Sequence, residues 1–348
     1  MTTPSPAFRR HLSKPFLSAL HALVDSAKGQ WWRDVLVHPD LKLAIRNEAI
    51  DVYHRGASIF RITPSNDGRV EARTHFKYLM RRRQAHAVLA ADGKTFIYDP
   101  GETSWASYES GKTLDEMVAA SKRFAGAEKS ELHPLIMHPS VIDVEIAFRS
   151  PTEQATSGGE PSAIDAEQND AADESEITAK DEGISLRHDR LDAATLEDRD
   201  GALWIVFHEA KHFKNPELRA GVAFQPPVGE QIARYRRSIE TYAPDIAASY
   251  REVCEALREL QTMRAKADPS GAAQATGLNP LIQRAANGEP LHVDGEPRLI
   301  VFGFDDDQKN GPTWTHHRQR LEDAKLTVYA VGKPNRKSAG AAFARSAS

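Results

Sequence analysis

The spacing of apolar residues changes several times along the chain, and each change predicts an element. Residues 15–38 carry SALHALVDSA and WWRDVLV, apolar at helical spacing, so helices are expected there. From residue 41 the pattern turns strand-like. LKLAIRNEAIDVYHRGASIFRITPSNDGRVEARTHFKYLM reads as successive strands broken at Arg46-Asn47, Arg55-Gly56 and Asn66-Asp67-Gly68. HAVLA and KTFIY, joined through Ala91-Asp92-Gly93, add a hairpin. Residues 1–110 are therefore expected to form a helix-plus-β-meander module. TLDEMVAASKRFAG predicts a helix with Thr113 as cap and Glu116 completing a capping box. VIDVEIAF (141–148) predicts a strand, and RLDAATLED with ALWIVFHEAK a hairpin turned at Arg199-Asp200-Gly201. VGEQIARYRRSIETY is expected to be a helix ending near Pro244, and DIAASYREVCEALRELQTMRAKA a second one. ADPSGAAQATGLNP reads as a connector. PRLIVFGF (297–304), THHRQRLEDA and LTVYAVG then predict strand, helix and strand. This succession places an α/β domain over 111–335, with 336–348 as a frayed basic tail.

Charge changes this picture in one place. Residues 151–183 hold ten acidic side chains against the single Lys180 and almost no large apolar ones. Such a stretch buries too little surface to offset its ordering entropy, so it is expected to be a disordered insert in the α/β domain. Setting its ten acids and one lysine aside from the chain's 49 acids and 45 bases leaves 39 and 44, a body of about +5. That is compatible with a polyanionic partner without demanding one. No apolar run approaches the roughly 18–20 residues of a membrane span, and no membrane association is expected. The first residues lack a secretory signal pattern, and the single cysteine, Cys254, allows neither an internal disulfide nor a cysteine-built zinc site. Both fit a cytoplasmic location.

The chemistry-bearing residues gather on the 190–212 hairpin. Asp192 lies in its first strand, and Glu209 and Lys211 end the second, one residue apart and so on one face. Hairpin pairing brings Asp192 close to that pair. Two carboxylates and an ammonium at one sheet margin suit metal-assisted phosphodiester hydrolysis. Mg²⁺ takes hard oxygen ligands, only one or two of them carboxylates, and lowers the pKa of a bound water, while the lysine orients that water or stabilises developing charge. An ordinary salt-bridged strand edge uses the same residue types.

With Asp192 in RLDAATLE, Glu209-Ala210-Lys211 in WIVFHEAKHF, and Gln231 and Tyr235 on one face of GEQIARYRRSIE, residues 113–332 resemble the PD-(D/E)XK nuclease superfamily. The resemblance implies a restriction-endonuclease-like core, a mixed central sheet flanked by helices, with Mg²⁺ or Mn²⁺ as cofactor. It implies that Asp192, Glu209 and the carbonyl of Ala210 hold the metal, that Lys211 is the catalytic lysine, and that Gln231 and Tyr235 brace the site. It also implies a nucleic acid as partner, DNA being the expected form, and homodimers in members that cut both strands. Leu191 stands where the motif's proline would be. Glu116, Glu131 and Glu145 are candidates for a further acid, Glu145 being expected on the strand face of Asp143. A catalytically inactive nuclease-like fold serving as a DNA-binding or assembly module is the alternative that keeps the same architecture.

The same segment contains His208-Glu209-x-x-His212, which on a helix would be a zinc-protease pair, with Glu230 as a conceivable further ligand. Leu203, Trp204, Ile205, Val206 and Phe207 favour a buried strand instead, which would set the two histidines about 13 Å apart at roughly 3.3 Å per residue. In the N-terminal module, Arg55, Arg61, Arg73, Lys77 and Arg81-Arg82-Arg83 interleave with Tyr53, Phe60, Phe76 and Tyr78. That mixture suits either contact with a nucleic-acid backbone or a solvated face over a core. Trp31-Trp32 is expected to pack the N-terminal helices onto the sheet, and the helix around Cys254 to cover its own sheet or pair with a second copy.

Overall fold

The computed structural model describes residues 8–81, 88–97, 99–148, 190–219, 226–268, 277–335 and 339–343. The expected acidic insert, Arg82 and Arg83, and most of the expected tail lie outside the described residues.

The chain opens with helices α1 (Lys14–Asp25) and α2 (Gln30–Val37), linked by a 3₁₀ turn. Ser13 caps α1, its hydroxyl accepting from the Phe16 N–H, and Phe16, Leu20 and Val24 form the buried stripe. Four strands follow as an antiparallel meander: β1 (Lys42–Arg46), β2 (Ala49–His54), β3 (Ala57–Pro64) and β4 (Val70–Arg73). The sequence punctuation works as expected at the β2–β3 turn, where Arg55 and Gly56 take φ of 53° and 81°. FKYLM departs from the expected strand: Phe76–Tyr78 is a 3₁₀ turn. Strands β5 (Val88–Leu89) and β6 (Phe96–Ile97) pair as the expected small hairpin, followed by a short α3 (Pro100–Thr103).

Helix α4 (Thr113–Phe124) lies where the pattern predicts it, without the expected capping box. The helix begins after Lys112, and the Thr113 hydroxyl instead accepts from the Glu109 N–H at 2.8 Å. A second helix, α5 (Ala127–Ile136), carries Pro134 inside it and is absent from the sequence expectation. Its EKSELHPL pattern has apolar residues only toward its end, so periodicity does not announce it.

The central sheet is mixed. Strands β7 (Val141–Ala147), β8 (Arg190–Arg199) and β9 (Ala202–His212) are antiparallel, while β11 (Arg298–Phe304) and β12 (Thr327–Gly332) run parallel to β9 in the order β12-β11-β9-β8-β7. A short β10 (Leu291–Val293), also unread in the sequence, pairs with the start of β9. Asp200 and Gly201, at φ of 54° and 88°, close the β8–β9 hairpin, as a two-residue turn between right-twisted strands requires. The described residues are thus α/β, with antiparallel and mixed sheets flanked by helices.

Pro244 does not end a helix. Helix α6 runs unbroken from Pro227 to Ala267. Its buried residues Val228, Ile232, Tyr235, Ile239, Tyr242, Ile246, Tyr250, Val253, Leu260 and Met263 keep one stripe straight through the proline. Burial of that continuous stripe outweighs the hydrogen bond the proline cannot donate. Ile239, Ile246, Tyr250 and Val253 share one hydrophobic cluster with Leu203, Ile205 and Phe207 of β9 and with Phe16, Leu20, Trp32 and Ile59 of the N-terminal elements. This helix therefore spends its apolar face on its own chain. On the other sheet face, Leu132, Leu135 and Ile136 of α5 pack on Val144, Ala193, Ala210, Ile300 and Phe302. Helices α7 (Pro280–Ala286), α8 (Asp306–Asn310), α9 (Pro312–Asp323) and α10 (Ala339–Phe343) complete the described elements. Among the described residues no helix is long and apolar enough to cross a membrane.

Candidate active site

The β8–β9 ladder runs in register from Arg199↔Ala202 to Ala193↔His208 and then stops. Directly beyond its last pair stand Asp192 and Glu209. The Ala210 N–H donates to Asp192 Oδ2 at 2.8 Å, so this carboxylate takes over a backbone donor where the strands part. Lys211 and Glu209 share a strand face, and their side chains meet with Nζ 2.9 Å from Oε1. Leu299 and Val301 of β11, the register partners of Glu209 and Lys211, point toward Val228 and Ile232 at the start of α6. Asp192, Glu209 and Lys211 are each less than a tenth exposed.

The carboxylates are close enough to feel each other. Burial first, and the Asp192 charge second, push the Glu209 carboxyl above the ordinary carboxylate range against the pull of Lys211. Glu209 Oε2 is buried with no hydrogen-bond partner. Lys211 is held above the usual lysine value: burial lowers it, but Glu209 and Glu217 outweigh that, Glu217 Oε2 standing 2.6 Å from Nζ. Glu217 comes from the 3₁₀ turn just after β9 (Pro216–Leu218), a contribution sequence reading missed.

Gln231 and Tyr235 hold the strand beneath this acid pair. Gln231 Nε2 donates to the Tyr235 hydroxyl at 2.8 Å, and that hydroxyl donates to the carbonyl of Arg190 at 2.7 Å, two residues before Asp192. The helical spacing of the two residues thereby pins the start of β8 to α6.

The further acid beside Asp192 is Glu145. Val144 and Ile146 pair with Ala193 and Leu191, which sets Glu145 opposite Asp192. Glu145 does not follow the face of Asp143 as strand alternation predicts. Its φ of 52° is left-handed, uncommon for a non-glycine residue, and its carboxylate goes to Lys129 of α5. Lys129 Nζ lies 2.7 Å from Glu145 Oε1 and 2.7 Å from Asp192 Oδ1. Burial lowers its affinity for a proton, but Asp192 and Glu145 outweigh that and hold the ammonium well above the ordinary lysine value. Asp143 instead takes Arg10, Arg46 and Tyr250 as partners. Glu131 reaches His212, Oε2 to Nε2 at 3.4 Å, and Glu116 lies on α4, which packs mainly on the Phe76–Tyr78 turn and the meander.

The zinc-protease arrangement is corrected by the strand. His208 and His212 lie on β9, not on a helix. His208 Nε2 meets Thr195 Oγ1 at 2.8 Å, and His212 packs on Gly303. Their spacing of about 13 Å along an extended backbone excludes a shared ion. Among the described residues no cluster of three or more His, Cys, Asp or Glu is arranged to hold a metal. A Mg²⁺ centre asks less of the protein, one or two carboxylates with carbonyl, water and phosphate oxygens completing the shell. Asp192, Glu209 and the Ala210 carbonyl fit that chemistry: the buried acid pair raises Glu209, and one Glu209 oxygen lacks any donor.

Of the aromatic and basic residues expected to form a nucleic-acid face, Tyr53, Phe60 and Tyr78 are core, and Arg61 is tied to Asp51 at 2.9 Å. Phe76 is exposed. No protein-family model, curated protein or solved structure matches the chain.

Proposed function

We propose that this chain is a metal-dependent nuclease of the PD-(D/E)XK kind, hydrolysing phosphodiester bonds of nucleic acid, with DNA the expected substrate and Mg²⁺ or Mn²⁺ the cofactor. The observation that carries the reading is the meeting of Asp192 and Glu209 where β8 and β9 part, with Lys211 on the strand face of Glu209. The succession α5, three antiparallel strands, α6 and a strand parallel to the third supports a restriction-endonuclease-like core.

Asp192, Glu209 and the Ala210 carbonyl would hold the metal, which when bound supplies a Lewis acid for the phosphate and a more acidic water. The chain's own residues do the rest. Lys211 carries a fixed positive charge at the sheet margin, where it offsets the negative charge that builds on the phosphate oxygens as water attacks. Gln231 and Tyr235 hold Arg190, and through it Asp192, in register with Glu209.

The test uses plasmid and single-stranded DNA with Mg²⁺ or Mn²⁺ and with chelator. Wild type is expected to cut only with metal. K211A is expected to lose about a hundredfold or more in rate, and H212A to keep most of it. DNA binding without cutting in every arm would replace this reading with the catalytically inactive DNA-binding module. Neither binding nor cutting would sink both.

A further inference from the structure

Lys129 stands where a cation is wanted. Its ammonium bridges Asp192 and Glu145 at 2.7 Å each, one of them an acid assigned above to the metal. A lysine head that satisfies two neighbouring carboxylates does part of what a divalent ion does: it cancels their mutual repulsion. It cannot serve Glu209 in the same way, and Glu209 keeps an unpartnered buried oxygen.

The position of Lys129 is set from the N-terminal module. The β2–β3 turn abuts it: a Cβ on Gly56 would come within 3.1 Å of Cβ, Cγ and Cδ of Lys129. Gly56 sits at φ 81°, where the missing side chain is needed twice, for the backbone and for the lysine stem. The neighbouring Arg55 N–H donates to Nδ1 of His133 at 3.2 Å, one helical turn along α5 from Lys129. Turn and helix are thereby locked together, and the Lys129 side chain extends from between them to the acids.

We propose that Lys129 is a built-in counter-cation of the acidic centre, positioned by the β2–β3 turn, and that it competes with a divalent cation for Asp192. The inference rests on the reading that Asp192 and Glu209 hold such a cation. In the metal-free protein the lysine keeps Asp192 and Glu145 together. When a divalent ion takes Asp192, the ammonium gives up that contact and becomes an additional positive charge beside the centre, the kind of group that receives a phosphate. The meander thus acts on the site from outside the α/β domain.

The test is calorimetric titration of Mn²⁺ into the full chain, with no substrate present. Wild type is compared with K129Q, K129M, K129R and D192N, each checked for native circular dichroism. Removing the competing charge is expected to tighten Mn²⁺ binding about tenfold in K129Q and K129M, and K129R to stay near wild type or weaker. The neutral variants are also expected to melt below wild type without metal and to gain more on adding Mn²⁺. A neutral variant too unstable to titrate still reports through that larger Mn²⁺-dependent rise in Tm. Unchanged or weaker affinity in both neutral variants, with wild-type binding lost in D192N, overturns the role of Lys129 alone. No Mn²⁺ binding in wild type and neutral variants, or binding indifferent to D192N, overturns the metal centre and this inference with it.

Discussion

His208 and His54 are buried imidazoles that the fold keeps neutral. Burial, and after it Arg298, push His208 down to about 3, while burial, His133 and Arg55 push His54 down to about 3. Each accepts or donates a hydrogen bond in that state, His208 with Thr195 and His54 with Ser121 Oγ at 2.6 Å. An unfolded histidine titrates near 6.5, so between that value and about 3 the unfolded chain binds more protons than the folded one. The stability these residues contribute is complete above pH 6.5 and is lost as pH falls toward 3, at up to about 1.4 kcal/mol per pH unit for each. Urea unfolding of wild type and H54Q from pH 7 to 4.5 checks this. The variant is expected to show a shallower pH slope by up to about that amount; parallel slopes would mean that His54 is protonated in the native state. At this scale the sequence is legible where backbone geometry alone places a side chain. Glu209 and Lys211 meet because strand residues two apart share a face, and Gln231 and Tyr235 because helix residues four apart do. Lys129, Glu145 and Glu217 are not legible, because each enters through a local departure. Glu145 needs a left-handed φ, Glu217 a 3₁₀ turn, and Lys129 a helix that periodicity does not announce.

Elements were legible to the extent that their own pattern decides them. The meander, the two-residue hairpin of β8 and β9, and the parallel pair β11 and β12 lie where apolar runs and turn residues place them. Helix α6 shows the opposite case. A proline predicts a boundary from local sterics, but a buried stripe extending on both sides of it carries the helix through. An interior proline costs a helix up to about 3 kcal/mol relative to alanine, part of which returns on substitution because proline also stiffens the unfolded chain. P244A is therefore expected to raise stability by about 1–2 kcal/mol, read as a higher urea midpoint with unchanged m-value. Two helices meeting at Pro244 would give no gain, or a loss. On β11 the decisive residue is Gly303. At φ 91°, with a Cβ position 2.4 Å from the His212 ring, it marks a register shift in the strand, a detail invisible in the run PRLIVFGF.

At the scale of the molecule, the meander and the central sheet are joined by buried charge as well as by apolar packing. Asp143 of β7, fully buried, receives Arg46 of β1 at 2.6 Å, Arg10 of the N-terminal segment at 3.3 Å and the Tyr250 hydroxyl of α6 at 3.0 Å. Arg46 also donates to Asp51 at 3.2 Å and to the Val144 carbonyl at 2.7 Å, and Arg61 donates to Asp51 at 2.9 Å. Two arginines thus depend on one carboxylate between parts of the chain that the sequence pattern assigns to separate modules. The arginine pairings of Asp143 are not legible locally, since Arg10 and Arg46 lie 133 and 97 positions from it. Removing the acid would leave cations buried without their partner, which typically costs 3–5 kcal/mol, far more than the intact cluster is worth over an apolar one. D143A is therefore expected to lose about 3–5 kcal/mol in urea unfolding. Because the cluster and the hydrophobic core both span residues before and after 110, the loss should appear in a single transition, with amide protection of the meander and far-ultraviolet ellipticity reporting the same midpoint. If amide protection of the meander in D143A is lost ahead of the ellipticity, the meander is held to the sheet by Asp143 more than by shared apolar packing. The positioning of Lys129 by the β2–β3 turn would then fail at the same urea concentration as that first step, well before the sheet that carries Asp192 and Glu209 unfolds.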